Sequence, residues 1–401
     1  MKKLISVRRL THIRTLWIAN WILLGLAGFL LGANINKFSG FPGTIKVAGV
    51  REISAASLKN ELSKKDFMFI NVHTPYEGEI EKTDMFIEFD SMIADKDRLP
   101  KDKNAAIILY CKTGRMSAEA TRTLKGMGYT NVRHLSGGMD SWEKKGFKKL
   151  DLSKLSGEVL PKGGFTLPVS WEDIGPKLVG FGVIDLAKFE KAVTLTDEQK
   201  EILTQESSAE IKIDAQNGQF VVDLLWALGL AQKSLVYDEG PLGKEYKKDV
   251  ANFASTGGWT LAKGDAVNYL NRFDLVPLTP EQQIKVGEIA KNVYRPCCGN
   301  STWFPDCNHG MAALAAIELL VSKGIPEADI YKYILGLNSF WFPDSYLTAA
   351  TYFARQGVVW QDVDAKKVLG QEFSSAQGAG NIAQKVGPLP YAGSAGGSCG
   401  A

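Results

Sequence analysis

Charge of one sign is what this chain most clearly lacks. Its 47 basic and 44 acidic residues leave a formal net charge of +3 over 401 residues. They are spread along the chain, so no basic face suited to a phosphate backbone stands out, and nucleic acid is set aside as a partner. Cysteine is scarce as well, with five residues in all, three of them between positions 297 and 307. No two are separated by two residues, which removes the attachment signal of c-type haem and the commonest chelating pair for zinc. At 45% hydrophobic, a chain of this length builds real cores and needs no disulfide staples. Long apolar runs are also few.

One such run stands at the N-terminus. Leu16 to Ile35, "LWIANWILLGLAGFLLGANI", carries no charge and follows Lys2, Lys3, Arg8, Arg9 and Arg14. At about 1.5 Å per residue it matches a hydrocarbon layer of roughly 30 Å. No convincing small-x-small cleavage site follows it. The pattern predicts an uncleaved transmembrane anchor over 1–35 with its basic flank in the cytoplasm, and a Gly/Pro/Ser linker over 36–46. The expected location is the inner or plasma membrane, single-pass, with the bulk of the chain extracytoplasmic and the membrane itself a partner.

Between residues 47 and 149 short apolar runs alternate with helical patterns. "FMFINV" (67–72) and "AAIILY" (105–110) read as buried strands, and "MSAEATRTLKGMGY" as a helix with Ala120, Leu124 and Met127 on one face. Strands alternating with helices imply a parallel α/β sheet. From about Leu160 the texture becomes mainly helical, giving a second domain over 160–371. "LTDEQKEIL" and "LTPEQQIKV" each start with a threonine cap followed by a first-turn glutamine, and "FVVDLLWALGL" (220–230) reads as a buried core helix. The Gly/Ala/Ser-rich stretch 372–401 has little to bury and is expected to be flexible.

Cys111 falls where a buried strand ends, ahead of a tight loop and a helix starting near Ser117. Amide groups of such a loop converge on the sulfur and stabilise a thiolate or persulfide anion, while Lys112 and Arg115 add charge that suits an anionic sulfane-sulfur donor. Taken with "FINVHTPYEGEIEKTDMFIEFD" before it and "GYTNVRHLSGGMDSWEKKGF" after it, "YCKTGRMSAEA" resembles the active-site loop of the rhodanese family over about residues 47–149. The resemblance implies a sulfurtransferase in which Cys111 is the nucleophile, Lys112, Thr113, Gly114, Arg115, Met116 and Ser117 form the substrate-binding loop, and a thiol is the acceptor. The fold class expected is therefore a rhodanese-like parallel sheet flanked by helices, preceded by one transmembrane helix and followed by a mainly α-helical domain. Asn71 and His73 stand where the family often has Asp and Arg. The arginine that related phosphatases need six residues after the cysteine is replaced by Ser117, which disfavours phosphatase activity.

A second group lies in "YRPCCGNSTWFPDCNHGMA", with Cys297, Cys298, Cys307 and His309. A helix begun at Thr279 must stop before Pro296 and delivers the paired cysteines; Asp306 is expected to cap the next helix, with Cys307 in its first turn. "NSTWFPDCNHGMAA" (300–313) recurs as "NSFWFPDSYLTAAT" (338–351), with Ser345 and Leu347 in place of Cys307 and His309. That substitution favours a chemical role for the first pair. Three readings stay open: a zinc, copper or iron site, a redox-active thiol set, or a structural disulfide with one thiol left over. In a sulfur-transfer function the thiols of this cluster act as acceptors or relay; the competing function is a metal-binding or redox module in which the rhodanese-like segment serves only to dock a partner. Cys399, on the C-terminal arm, is a candidate relay thiol.

Overall fold

Short apolar runs bounded by polar turns become the central strands of a parallel sheet. In a computed structural model that describes residues 49–389, the first elements are β1 (Arg51–Ile53), α1 (Ala55–Leu62), β2 (Met68–Asn71), β3 (Glu79–Ile80) and β4 (Met85–Phe86). They are followed by β5 (Ile107–Tyr110), α2 (Arg115–Gly126), β6 (Val132–Leu135), α3 (Gly138–Lys144) and β7 (Lys149–Leu150). The five-stranded sheet has the order β1-β6-β5-β2-β4, and every neighbouring pair in it is parallel. β3 and β7 form a separate antiparallel pair.

Because successive side chains of a strand point to opposite faces, β5 feeds two cores. Ile107 and Leu109 pack with Ala120 and Leu124 of α2, while Ile108 and Tyr110 pack with Leu58 of α1 and Trp142 of α3. The same parity carries Cys111 onto the α2 side. The helix starts where the loop ends.

A third core runs from Leu152 to Val386. It opens with β8 (Phe165–Glu172) and β9 (Ser207–Ile213), an antiparallel pair interrupted by irregular register. The sequence reading overlooked both, although β8 alternates buried and solvent-facing side chains at Leu167, Thr166, Val169 and Glu172. Then come α4 (Gly218–Ala231), α5 (Pro280–Ala290), α6 (Asn308–Ser322), α7 (Glu327–Trp341), α8 (Pro343–Arg355) and α9 (Ala376–Val386). α4 packs along α6, and both are buried almost all round.

Two expectations are corrected. The anchor at 1–35 and the linker at 36–46 lie outside the described residues, and among the described residues no helix is long and apolar enough to cross a membrane. α4, the core helix over residues 218–231, has 14 residues and so is about 21 Å long, short of a roughly 30 Å layer. The single-pass fold class, the membrane as a partner, and a location in the inner or plasma membrane therefore give way to a mixed architecture, a parallel α/β sheet followed by a helical region. The Gly-rich stretch from 372 also differs: α9 occupies 376–386 and buries Ile382 and Val386, because small residues let it lie close against its neighbours. Gly378 has carbonyl oxygens of Gln371 and Glu372 within 2.5 Å of where a Cβ would stand.

Candidate functional sites

The loop between β5 and α2 folds back over Cys111. Gly114, at φ +94°, makes the turn, and its N–H donates to Cys111 Sγ at 3.1 Å. The N–H of Ser117 donates to the same sulfur at 3.4 Å. The thiol is 3.5 Å from Ser117 Oγ, which in turn donates to the Gly114 carbonyl and lies 3.3 Å from His134 Nδ1. Burial pushes the His134 imidazole below its usual range, with Glu52 opposing. Cys111 is only 1% exposed. Its carbonyl accepts from Met139 N at 2.9 Å, and Gly138 approaches so closely that a Cβ there would stand 2.2 Å from that oxygen.

Lys112 and Thr113 face solvent, and Lys112 Nζ is 2.6 Å from Glu77. That carboxylate raises the lysine pKa. Arg115 is exposed, 3.8 Å from Glu119 and over the Phe89 ring. Met116 is half-buried beside the α2 core. Asn71 is buried and donates to the Gly78 carbonyl, while its Oδ1 accepts from His73 N. An amide thus bridges two backbone segments without charge.

The second site forms where the chain leaves α5 and enters α6. The adjacent cysteines converge on one sulfur: Cys297 Sγ is 3.5 Å and Cys298 Sγ 3.8 Å from Cys307 Sγ. All three lie within 4.8 Å of one another and could hold one metal ion. No cofactor is established. His309 is outside this group; its Nδ1 is 2.9 Å from Asn308 Oδ1, and its ring lies 4.5 Å from Phe342 and 5.6 Å from Trp341. Burial pushes the His309 imidazole down to about 4, leaving it neutral at pH 7.

Cys307 itself, not Asp306, caps α6, its sulfur accepting from Gly310 N at 3.4 Å. Asp306 is engaged elsewhere, with Arg295 Nη2 at 2.6 Å and Asn300 Nδ2 at 2.7 Å. In the repeated segment α8 starts at Pro343, whose counterpart is Pro305, three residues ahead of α6. The two copies therefore share residues but not a cap.

Arg295 was not singled out from the sequence. It is 1% exposed, donates from Nε to Cys307 Sγ at 3.0 Å, and reaches the Asn300 carbonyl through Nη1 at 2.9 Å. Its only sequence signal is a charged residue shortly after the end of α5, beside Pro296. Hydrogen bonds from Cys297 and Cys298, with Arg295 adding its charge, hold the Cys307 thiol well below the usual range against the cost of burial. Bonding to Cys298 and Cys307, together with burial, drives Cys297 up. Cys298 is bonded by Cys297, which opposes the rise, yet Cys307 and burial take it up to about 11.

The segment "NFASTGGWTL" (252–261) lies behind Asp306. Ser255 N donates to the Asp306 carbonyl, and Trp226 Nε1 donates to the Ser255 carbonyl. Cys399 lies outside the described residues.

Comparison with known proteins matches residues 54–145 to the rhodanese-like domain. A probable adenylyltransferase/sulfurtransferase MoeZ of Mycobacterium tuberculosis is 46% identical over 48 residues, 12% of this chain and 12% of that protein. A protein named sulfurtransferase from Allochromatium vinosum is 29% identical over 101 residues, 24% of this chain and 92% of its own. A rhodanese-related protein of Thermoplasma volcanium, of known structure, is 26% identical, covers 25% of this chain and 97% of its own, and has a TM-score of 0.22. These matches leave the helical region unaccounted for. Residues 54–145 of this chain are a rhodanese-like domain.

Proposed function

We propose that the chain is a sulfurtransferase in which Cys111 takes a sulfane sulfur from an anionic donor and passes it to a thiol acceptor. The rhodanese-like domain and the relatives named as sulfurtransferases support the general activity. The observation that carries the residue assignment is the pair of amide donors, from Gly114 and Ser117, that converge on Cys111 Sγ. Two N–H groups at the start of α2 stabilise a negative charge on that sulfur or on a sulfur bound to it, and add no bulk. In the transfer step the Cys111 thiolate attacks the outer sulfur of the donor, whose remaining part leaves with the bond's electrons. An acceptor thiolate then attacks the outer sulfur of the persulfide and restores Cys111. Lys112 and Arg115, both solvent-facing and paired with Glu77 and Glu119, supply the positive charge that draws the donor to the loop.

Incubation with thiosulfate and cyanide tests this. The wild-type chain is expected to form thiocyanate and Cys111→Ala to form none above background. Equal output from the two would remove Cys111 from the reaction.

A further inference from the structure

We infer that Cys307, Cys297 and Arg295 form a second thiol site, one that accepts a sulfane sulfur atom and releases it as sulfide. The proposal draws its donor class from the sulfur-transfer reading above, while its chemistry rests on the cluster itself. Cys307 Sγ receives two donors of fixed position, Arg295 Nε at 3.0 Å and Gly310 N at 3.4 Å. Within 3.5 Å of it lies a second sulfur, Cys297 Sγ. A sulfur with two hydrogen-bond donors is a nucleophile; a thiol touching it is the group that resolves whatever bond it forms.

Arg295 decides between this and metal coordination. Its guanidinium is buried, and Asp306 and the Asn300 carbonyl hold it so that Nε faces the sulfur. Gly310 makes room for it, since a Cβ there would stand 2.4 Å from Nη2. A guanidinium cannot lose its proton. It places a permanent positive charge in the wall of the site and occupies a lone pair on Cys307, both of which oppose a second cation, whereas both favour a thiolate attacking an anionic donor.

The steps balance without a cofactor. The Cys307 thiolate attacks the outer sulfur of a donor X–S⁻; the new S–S bond forms, the X–S bond breaks, and X leaves with the electron pair, as sulfite when the donor is thiosulfate. Cys297 then attacks the Cys307 sulfur, giving the Cys297–Cys307 disulfide and expelling the outer sulfur, which keeps the electron pair and takes the Cys297 proton to leave as hydrosulfide. The sulfane sulfur is reduced by two electrons and the two thiols are oxidised by two. An external dithiol supplies two electrons and two protons to return the pair to thiols.

The test uses the full chain, reduced and then freed of reductant, with thiosulfate as the probe. Sulfide is expected at up to one per chain, together with a Cys297–Cys307 disulfide in the peptide masses. Because Cys298 Sγ is also 3.8 Å from Cys307 Sγ, the double variant Cys297→Ser with Cys298→Ser should stop one step earlier, with one added sulfur atom on Cys307. The inference is overturned if thiosulfate leaves both cysteines as free thiols and yields no sulfide. It is also overturned if the isolated protein carries an equivalent of zinc, copper or iron that shields the three cysteines from alkylation. A parallel cyanide arm separates the two sites. Thiocyanate from Cys307→Ser with no sulfide from Cys111→Ala overturns this inference and leaves Cys111 standing, whereas sulfide from Cys111→Ala with no thiocyanate from Cys307→Ser upholds it and removes Cys111.

Discussion

Glu318 of α6 sits wholly inside the helical core. Desolvation pushes its carboxyl up to about 8, and the Ser234 hydroxyl offsets only part of that. In the unfolded chain the same group titrates near 4.5, so between those values the native state holds a proton that the unfolded state has lost. Stability is therefore complete below about pH 4.5 and falls as pH rises to about 8, by at most about 1.4 kcal/mol per pH unit. Glu318→Gln removes this slope, and thermal melts across that range should show the variant flatter than the wild type. An unchanged slope would mean another group carries it. Residues of this kind escape a sequence reading because burial, not identity, makes them unusual. Cys111, Cys297, Cys298 and Cys307 were legible because sulfur is scarce in the chain; Arg295 was not, because it is one of 47 basic residues and only the fold brings it to the Cys307 sulfur.

At the scale of elements, local signals held where the interaction is local. The capping boxes at Thr196 with Gln199 and at Thr279 with Gln282 form as the sequence predicts. The second starts α5, which leads to the Cys297 and Cys298 segment. Thr279→Ala is expected to cost about 1 kcal/mol in denaturant unfolding. The cap at α6 went differently, since Asp306 was drawn away by Arg295 and Asn300 and the sulfur of Cys307 took its place. Trp341 and Phe342, from the second copy of the repeated segment, flank His309 of the first. Those edge-to-face and tilted ring contacts hold His309 beside the cysteine cluster, outside the group of three sulfurs.

At the scale of the whole molecule, among the described residues, one ion pair joins the two regions. Arg355 at the end of α8 donates to both carboxylate oxygens of Glu79 at 2.8 Å, and Glu79 is fully buried. Its remaining nitrogen serves the carbonyls of Asp84 and Val386, and Lys82 N donates to the Arg355 carbonyl. Beside the pair, Tyr110 Oη accepts from Ile80 N and bonds Thr83. Breaking a buried pair strands a charge, so Arg355→Ala should lose about 3–5 kcal/mol of unfolding free energy, while Arg355→Met with Glu79→Leu should recover most of it. Denaturant curves of the single and paired variants decide this; equal losses would show that the charge pairing does not matter. A reading that divides the chain at 149 and 160 contains no hint of this contact, because its partners are separated by 276 positions.

What the sequence determined by itself is what depends on neighbours along the chain: buried strands, capped helices, the turn at Gly114 and the cysteine at the end of β5. Alternation and capping act over a few residues, so their outcome is written in a few residues. The tertiary structure alone decided which sulfurs meet, that Arg295 rather than His309 bonds Cys307, that Lys112 pairs with Glu77, and that Arg355 closes the helical region onto the sheet. Those outcomes depend on desolvation and on distances between remote segments, and neither exists until the chain has folded.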